Sequence, residues 1–502
     1  VESCALCSPS ATAERHTAII LRRKQDDQPT GGGTAFSPIV IILDACRDGL
    51  PPRPTQNHAA QLLPQLMMSR ESDSNLRNII CGKLTEARAR TLLLVSSLSE
   101  EDLRAQHDSL MSPILWDLGH IAHFEDLWLT RNLSGPIEFS EMPGMYNPFE
   151  HPRSTRAALP LPSLRDLVQA ASEIRADVLD TLRDADLSSD HPLLSKGFVY
   201  NMVLQHEYQH NETILQTLQL KTGAPYHAAR IATSPPGSDE FVGMVPVGGG
   251  AYTIGTDDSA VAYDNERPRH LVSVAAFEID AAPVTNSEYA QFIDDGGYEN
   301  PELWSENGKA WLADSGAIAP KHWIVTDEGW MTRTMDATVP IMLDHPVCHV
   351  CYYEAEAYAQ WAGKRLPTEQ EWEIAASWNP ATETALLFPW GDAEPTALLA
   401  NVDQLSFGTA PVGSFEQNVS PFGCYGMIGD VWEWTSSDFT GYPGFSAFPY
   451  PEYSEAFFGT EYKVLRGGSW ATRPGAVRNT FRNWDYPIRR QIFSGFRCAR
   501  DI

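Results

Sequence analysis

The chain reads as a multidomain protein, a four-helix bundle followed by an α+β domain, on three observations. Its 502 residues exceed what a single hydrophobic core organises, since domains usually run to roughly 100–200 residues. Between Ser74 and Leu220 apolar residues recur three and four apart in long segments, the period of an amphipathic helix. Beyond Val242 that period gives way to short β-like runs among loops rich in Gly, Pro and Trp.

Residues 1–73 carry GGG, PPRP and scattered charges without a sustained period, the composition of a poorly ordered extension, and lack the order of a secretory signal. Residues 74–221 form the bundle. Its four helices are expected at NLRNIICGKLTEARARTLLLVSSL, ILWDLGHIAHFEDLWLTRNL, SLRDLVQAASEIRADVLDTLRDA and FVYNMVLQHEYQHNETILQTLQL. The connection between the second and third, SGPIEFSEMPGMYNPFEHPRSTRAALPLP, is long for a bundle, and long ordered loops are disproportionately functional. Residues 222–241 read as a linker, and 242–502 as the α+β domain.

Composition narrows the partners. Thirty-seven Lys and Arg against 65 Asp and Glu leave a net charge of −28, which repels phosphate backbones and anionic lipids and argues against nucleic acid and membrane. The longest apolar run, around Ile39–Leu43, falls far short of the ~20 residues of a spanning helix. Eight scattered Cys fit a reducing, cytoplasmic setting better than a disulfide framework. The Cys4/Cys7 and Cys348/Cys351 pairs are too far apart in sequence to suggest one four-thiolate zinc site, and the second pair reads as small core residues.

The sharpest chemical signal is LQHEYQHNETIL. His206 and His210, four apart on a helix, share a face and can hold one metal. Glu212 swings to another side of that helix and is expected to serve as an interhelical or supporting partner. A third ligand must come from another helix, and WDLGHIAHFEDLW offers His120 and His123. Imidazole suits zinc, copper, iron and nickel alike, so spacing does not name the metal. Trp390, Trp432 and Trp434 read as fold core.

The C-terminal motifs PVGGGAYTIGTDDSAVAYDNERPRHLVSVAAFEID, GKRLPTEQEWE, FPWGD, GMIGDVWEWTSSDF and VLRGGSWATRPGAVRNTFRN…SGFRCARD resemble the formylglycine-generating, sulfatase-modifying family, an irregular C-type-lectin-like fold. That family's oxidases place two copper-binding cysteines after the GGS turn, where this sequence has Thr472 and Val477, so formylglycine synthesis is not expected. The bundle motifs resemble DinB-like metal-binding bundles. The two together resemble the sulfoxide synthases of the ergothioneine pathway over nearly everything after residue 74.

The resemblance implies an O2-dependent oxidoreductase with an Fe(2+) site of His120, His206 and His210, His123 being left to packing or support. It implies joining of the sulfur of gamma-glutamylcysteine to the imidazole of N-alpha-trimethylhistidine (hercynine), with a sulfoxide as product. By the same resemblance Tyr450 is the active-site acid, Gln209, Tyr453, Asn483 and Trp484 hold hercynine, and Arg153, Arg156, Asp485 and Arg489 hold gamma-glutamylcysteine. The chemistry agrees: aromatic faces suit a quaternary ammonium at about 0.5–2 kcal/mol each, and guanidinium forks suit carboxylates. Cysteine-using and selenium-donor synthases remain alternatives, as does a non-catalytic metal- or betaine-binding module. The ovothiol branch ranks lower, because its members usually carry an added methyltransferase domain and the sequence stops at Ile502.

Overall fold

A computed structural model describes residues 63–133, 144–227, 234–237, 243–335 and 337–502, with side chains described from Asp73 onward. The segment 1–62, including Cys4 and Cys7, lies outside the described residues. The described chain begins in a helix. α1 spans Leu63–Val95, so helix reaches into the stretch expected as extension. Leu63, Leu66 and Met67 already keep the helical spacing there, and Pro64 falls in the first turn, where its missing N–H costs nothing.

Four further helices complete the N-terminal half: α2 (Glu100–Arg104), α3 (Ile114–Asp126), α4 (Leu164–Asp184) and α5 (Phe198–Leu220). The short α2 was not anticipated; Ser99 and Asp102 close a reciprocal cap that stabilises so brief a helix. α3 runs on as a single π turn, Leu127–Arg131, which carries Trp128. α4 starts where the Ser163 hydroxyl accepts from the Asp166 amide.

Within the largely apolar bundle lies a buried charge cluster. Arg88 and Arg175 both donate to Glu125 and Glu207, at 2.5–3.5 Å, and Thr91 caps Glu207 at 2.7 Å. All four charged groups are compensated inside it, which makes a cluster in low dielectric tolerable.

Past the bundle the described residues form five small sheets among many loops, of which two position the site. Phe277–Asp280 pairs antiparallel with Met244–Val247 on one side and Ala499–Asp501 on the other, so the two ends of this half meet in one sheet. The second sheet has the order Asn483–Asp485, Lys463–Arg466, Trp432–Asp438 and Ser494–Gly495, the last pair parallel. Loops of this length need internal anchors, and buried Arg–Glu pairs supply them: Arg482 forks onto Glu369 and Arg497 onto Glu433 at 2.7–2.9 Å, while Arg466 holds Glu373 and Arg478 holds Glu266. Trp434 is fully buried and Trp432 nearly so, as core residues should be, whereas Trp390 is half-buried and stacks on Phe388. Cys351 is buried and Cys348 half-buried, both as free thiols.

α5 joins the two halves. The Glu212 carboxylate points away from the His206/His210 face and accepts from Trp432 Nε1 (2.8 Å), Ser469 Oγ (2.7 Å) and Thr472 Oγ1 (2.6 Å). Burial pushes its pKa up, and the three donors oppose that rise. The helix that carries two histidines is therefore pinned to the turn after Gly467–Gly468; Glu212 stays off the histidine face as its helical phase predicted, but its partners lie on a strand and a turn of the α+β domain and not on another helix.

Candidate metal centre and substrate pockets

His120 on α3 and His206 and His210 on α5 bring their ring nitrogens within 4.8 Å of one another. The Nε2 atoms of His120 and His206 stand 3.2 Å apart, close to the edge of a coordination polyhedron with bonds of about 2.1 Å. The His120 and His206 rings are braced. His120 Nδ1 donates to the Tyr146 carbonyl (2.9 Å) and its face stacks on Trp116. His206 stacks on Phe124 at 3.8 Å. Asp117 Oδ1 lies 3.3 Å from His210 Nδ1, out of line for a hydrogen bond.

Burial lowers the pKa of His120 and of His206 well below the ordinary imidazole value; His210 adds to both shifts. Neutral imidazoles are the form that ligates metal. Three convergent imidazole nitrogens with no carboxylate among them fit a divalent transition metal and leave positions for other ligands. His123 points elsewhere. Its ring centroid lies 6.1 Å from that of Tyr146, and its buried Nε2 has no hydrogen-bond partner.

Beside the histidines an aromatic pocket is built from both halves. Tyr450 is buried, stacks on Trp128 of the π turn at 5.0 Å, and meets the edge of Phe124, the ring that lies against His206. Burial raises the Tyr450 pKa well above the ordinary phenol value, with Tyr263, Asp264 and Glu452 adding, so the hydroxyl keeps its proton. Gln209 Nε2 donates to Tyr453 Oη (3.3 Å), and Tyr263 donates to Gln209 Oε1 (3.3 Å) while stacking on Tyr453 at 4.2 Å. Tyr453 stands edge-on to Trp484, which lies flat on Phe439. Asn483, beside Trp484 on the edge strand, accepts from the Trp484 amide through its own Oδ1 (2.9 Å).

A second pocket gathers cations. Arg156 is buried, donates to Ser112 Oγ (2.7 Å) and the His151 carbonyl (2.9 Å), and lies 3.6 Å above the Trp116 ring. Arg489, 1 % exposed, donates to the Leu110 carbonyl (2.9 Å) and sits 3.4 Å from Asp485. The turn Leu110–Ser112 thus lies between the two guanidiniums. Burial pushes each of them down to about 10; the exposed Arg153 adds to both shifts, while Asp117 opposes the first and Asp485 the second. Arg153 thus raises the positive potential at both buried guanidiniums, with Asp117, Asp485 and Asp108 the carboxylates that oppose it.

The residues the sequence singled out therefore fall into a histidine cluster, an aromatic cluster and a cluster of cations. Sequence reasoning missed Tyr263, Trp116, Asp117, Phe124 and Tyr146. Trp116, Asp117 and Phe124 carried a signal, at i−4, i−3 and i+4 from His120 on the same helical face.

Residues 231–502 match the sulfatase-modifying factor enzyme 1-like domain family, and residues 83–214 match the DinB superfamily. The hercynine oxygenase of Mycobacterium tuberculosis is 47 % identical over 426 residues, covering 84 % of this chain and 98 % of the relative. That of Mycolicibacterium smegmatis is 45 % identical over 436 residues, covering 85 % and 99 %. The formylglycine-generating enzyme of Bos taurus is 34 % identical over 286 residues, covering 51 % of this chain and 74 % of the relative.

Proposed function

This chain belongs to the hercynine oxygenase family, and from that premise we propose that it is an iron(II)- and O2-dependent sulfoxide synthase that joins gamma-glutamylcysteine to hercynine. The observation that carries the reading is the convergence of three imidazoles beside one aromatic and one cationic cluster. His120, His206 and His210 would hold the iron, which when bound supplies the electrons and open positions that O2 activation needs. Residues 74–221 and 242–502 act as two domains sharing this site.

The chain's own groups then divide the work. Tyr453 and Trp484 offer ring faces to the trimethylammonium, which has no N–H to donate, and the Gln209–Tyr453–Tyr263 bonds fix that wall in place. Asn483 is assigned to the carboxylate end of hercynine. Arg153, Arg156 and Arg489 neutralise the carboxylates of the dipeptide, and Asp485 is left to meet its ammonium. The Tyr450 hydroxyl, protonated at working pH, holds a proton at Oη for transfer in the reaction.

The charge of the second pocket favours gamma-glutamylcysteine over cysteine, which has one carboxylate fewer, and over a selenosugar, which lacks the dipeptide's charges. A competition among the three donors tests this. Gamma-glutamylcysteine should dominate the products of the wild type, and Arg489→Leu should erase that preference; equal use of cysteine by the wild type would refute the donor assignment.

A further inference from the structure

We propose that Gly119 and Tyr146 form a lock that positions the ligand His120. The inference rests on the reading of His120 as a metal ligand. Tyr146 belongs to a 3-10 turn, Gly144–Tyr146, that lies against α3 and is tied to it twice. Trp116 Nε1 donates to the Met145 carbonyl (2.8 Å), and His120 Nδ1 donates to the Tyr146 carbonyl (2.9 Å). A carbonyl only accepts, so this bond keeps the His120 proton on Nδ1 and leaves the Nε2 lone pair toward His206.

A backbone carbonyl can come from any residue. What sets its position here is the side chain beneath it. The Tyr146 ring lies directly on Gly119, where a Cβ would come within 2.1–2.4 Å of Tyr146 Cε1, Cζ and Oη. Trp116 and His123, at ring distances of 6.3 and 6.1 Å, stand one turn to either side of Gly119 and wall the ring in along the helix. The ring therefore has no easy sideways escape, and a methyl group at 119 displaces it together with the carbonyl it carries. Its hydroxyl is buried without a hydrogen-bond partner, so the ring and not the polar tip makes the seat. Glycine inside α3 costs helix stability relative to alanine. Local helix propensity would favour alanine at 119; ligand placement explains the glycine.

The test titrates metal-stripped, full-length protein with cobalt(II) in the absence of air and reads both affinity and the visible ligand-field spectrum, with His206→Ala as the reference for a lost ligand. Gly119→Ala and Tyr146→Ala should each weaken cobalt binding by about 10–100-fold and shift the spectrum. Tyr146→Phe, which keeps the ring, should match the wild type in both. Wild-type affinity and spectrum in Gly119→Ala and Tyr146→Ala would overturn the lock, as would a Tyr146→Phe variant as impaired as Tyr146→Ala. If Gly119→Ala does not fold, the two Tyr146 variants decide by themselves. Failure of the wild type to bind cobalt more tightly than His206→Ala would instead overturn the ligand assignment on which the lock rests.

Discussion

Tyr450 sits between Trp128 of the bundle and Tyr453 of the aromatic pocket, and its chemistry is separable from its packing. Tyr450→Phe keeps the ring and removes one hydroxyl. It should bind metal and both substrates as the wild type does, yet lose sulfoxide product by about 10²-fold or more, with O2 uptake ending in oxidised thiol; unchanged sulfoxide output contradicts the role. The nearby Asp264 is 1 % exposed and accepts from Ser454 Oγ and the Phe448 amide, which ties down the segment that carries Tyr450 and Tyr453. Burial raises its pKa to about 6. A carboxyl whose folded pKa lies above its unfolded one contributes stability that is full below about pH 4 and lost as pH rises through about 6. Asp264→Asn cannot ionise, so denaturant curves should show the wild type losing about 3 kcal/mol more than the variant across that window. Parallel pH–stability curves would contradict the shift. Single residues differed in how well the sequence exposed them. His206 and His210 announce themselves by spacing, whereas Tyr263 reaches Gln209 across 54 positions and Tyr146 reaches His120 across 26, distances at which no local periodicity operates.

Two elements carry most of the coupling in the site. The segment from Gly144 to Ala158 supplies the carbonyl on His120 as well as Arg153 and Arg156, and Arg156 covers the Trp116 ring on which His120 stacks. Occupation of the cationic pocket should therefore steady the metal ligand. Gamma-glutamylalanine, which has the donor's charges and no sulfur to bind metal, should tighten metal affinity in the wild type and leave it unchanged in Arg156→Ala, as read by parallel metal titrations; no tightening in the wild type refutes the linkage. α5 is the second element. Glu212→Ala strands three buried donors, Trp432 Nε1, Ser469 Oγ and Thr472 Oγ1, and should cost about 3 kcal/mol or more, with a clear fall in Tm, while Glu212→Gln costs less. The long helices and the phase of Glu212 were legible because the 3.6-residue period records burial directly. The turn containing Tyr146, the short α2 and the edge strand Asn483–Asp485 were not, since each is held by caps or by partners remote in sequence.

At the scale of the molecule, the proposed site draws on both halves. The histidines belong to α3 and α5, Tyr450, Tyr453, Trp484 and Arg489 to the α+β half, and Gln209–Tyr453 and Glu212–Thr472 bond across the seam. The bundle end of the seam is stiffened by the Arg88–Glu125–Arg175–Glu207 cluster, whose Glu207 adjoins His206 in sequence. Removing one member leaves an uncompensated charge in a dry core. Arg175→Leu should cost about 3–5 kcal/mol in denaturant unfolding, whereas a loss below about 1 kcal/mol, typical of exposed pairs, would show that water reaches the cluster. The central claim is that this shared site couples O2 to carbon–sulfur bond formation. Its most direct test loads the purified protein with iron(II) under anaerobic conditions, adds hercynine and gamma-glutamylcysteine, admits air, and follows O2 uptake together with product mass. The account predicts O2 consumption matched by a sulfoxide that contains both substrates; O2 uptake that yields only oxidised thiol, or no uptake at all, would contradict it.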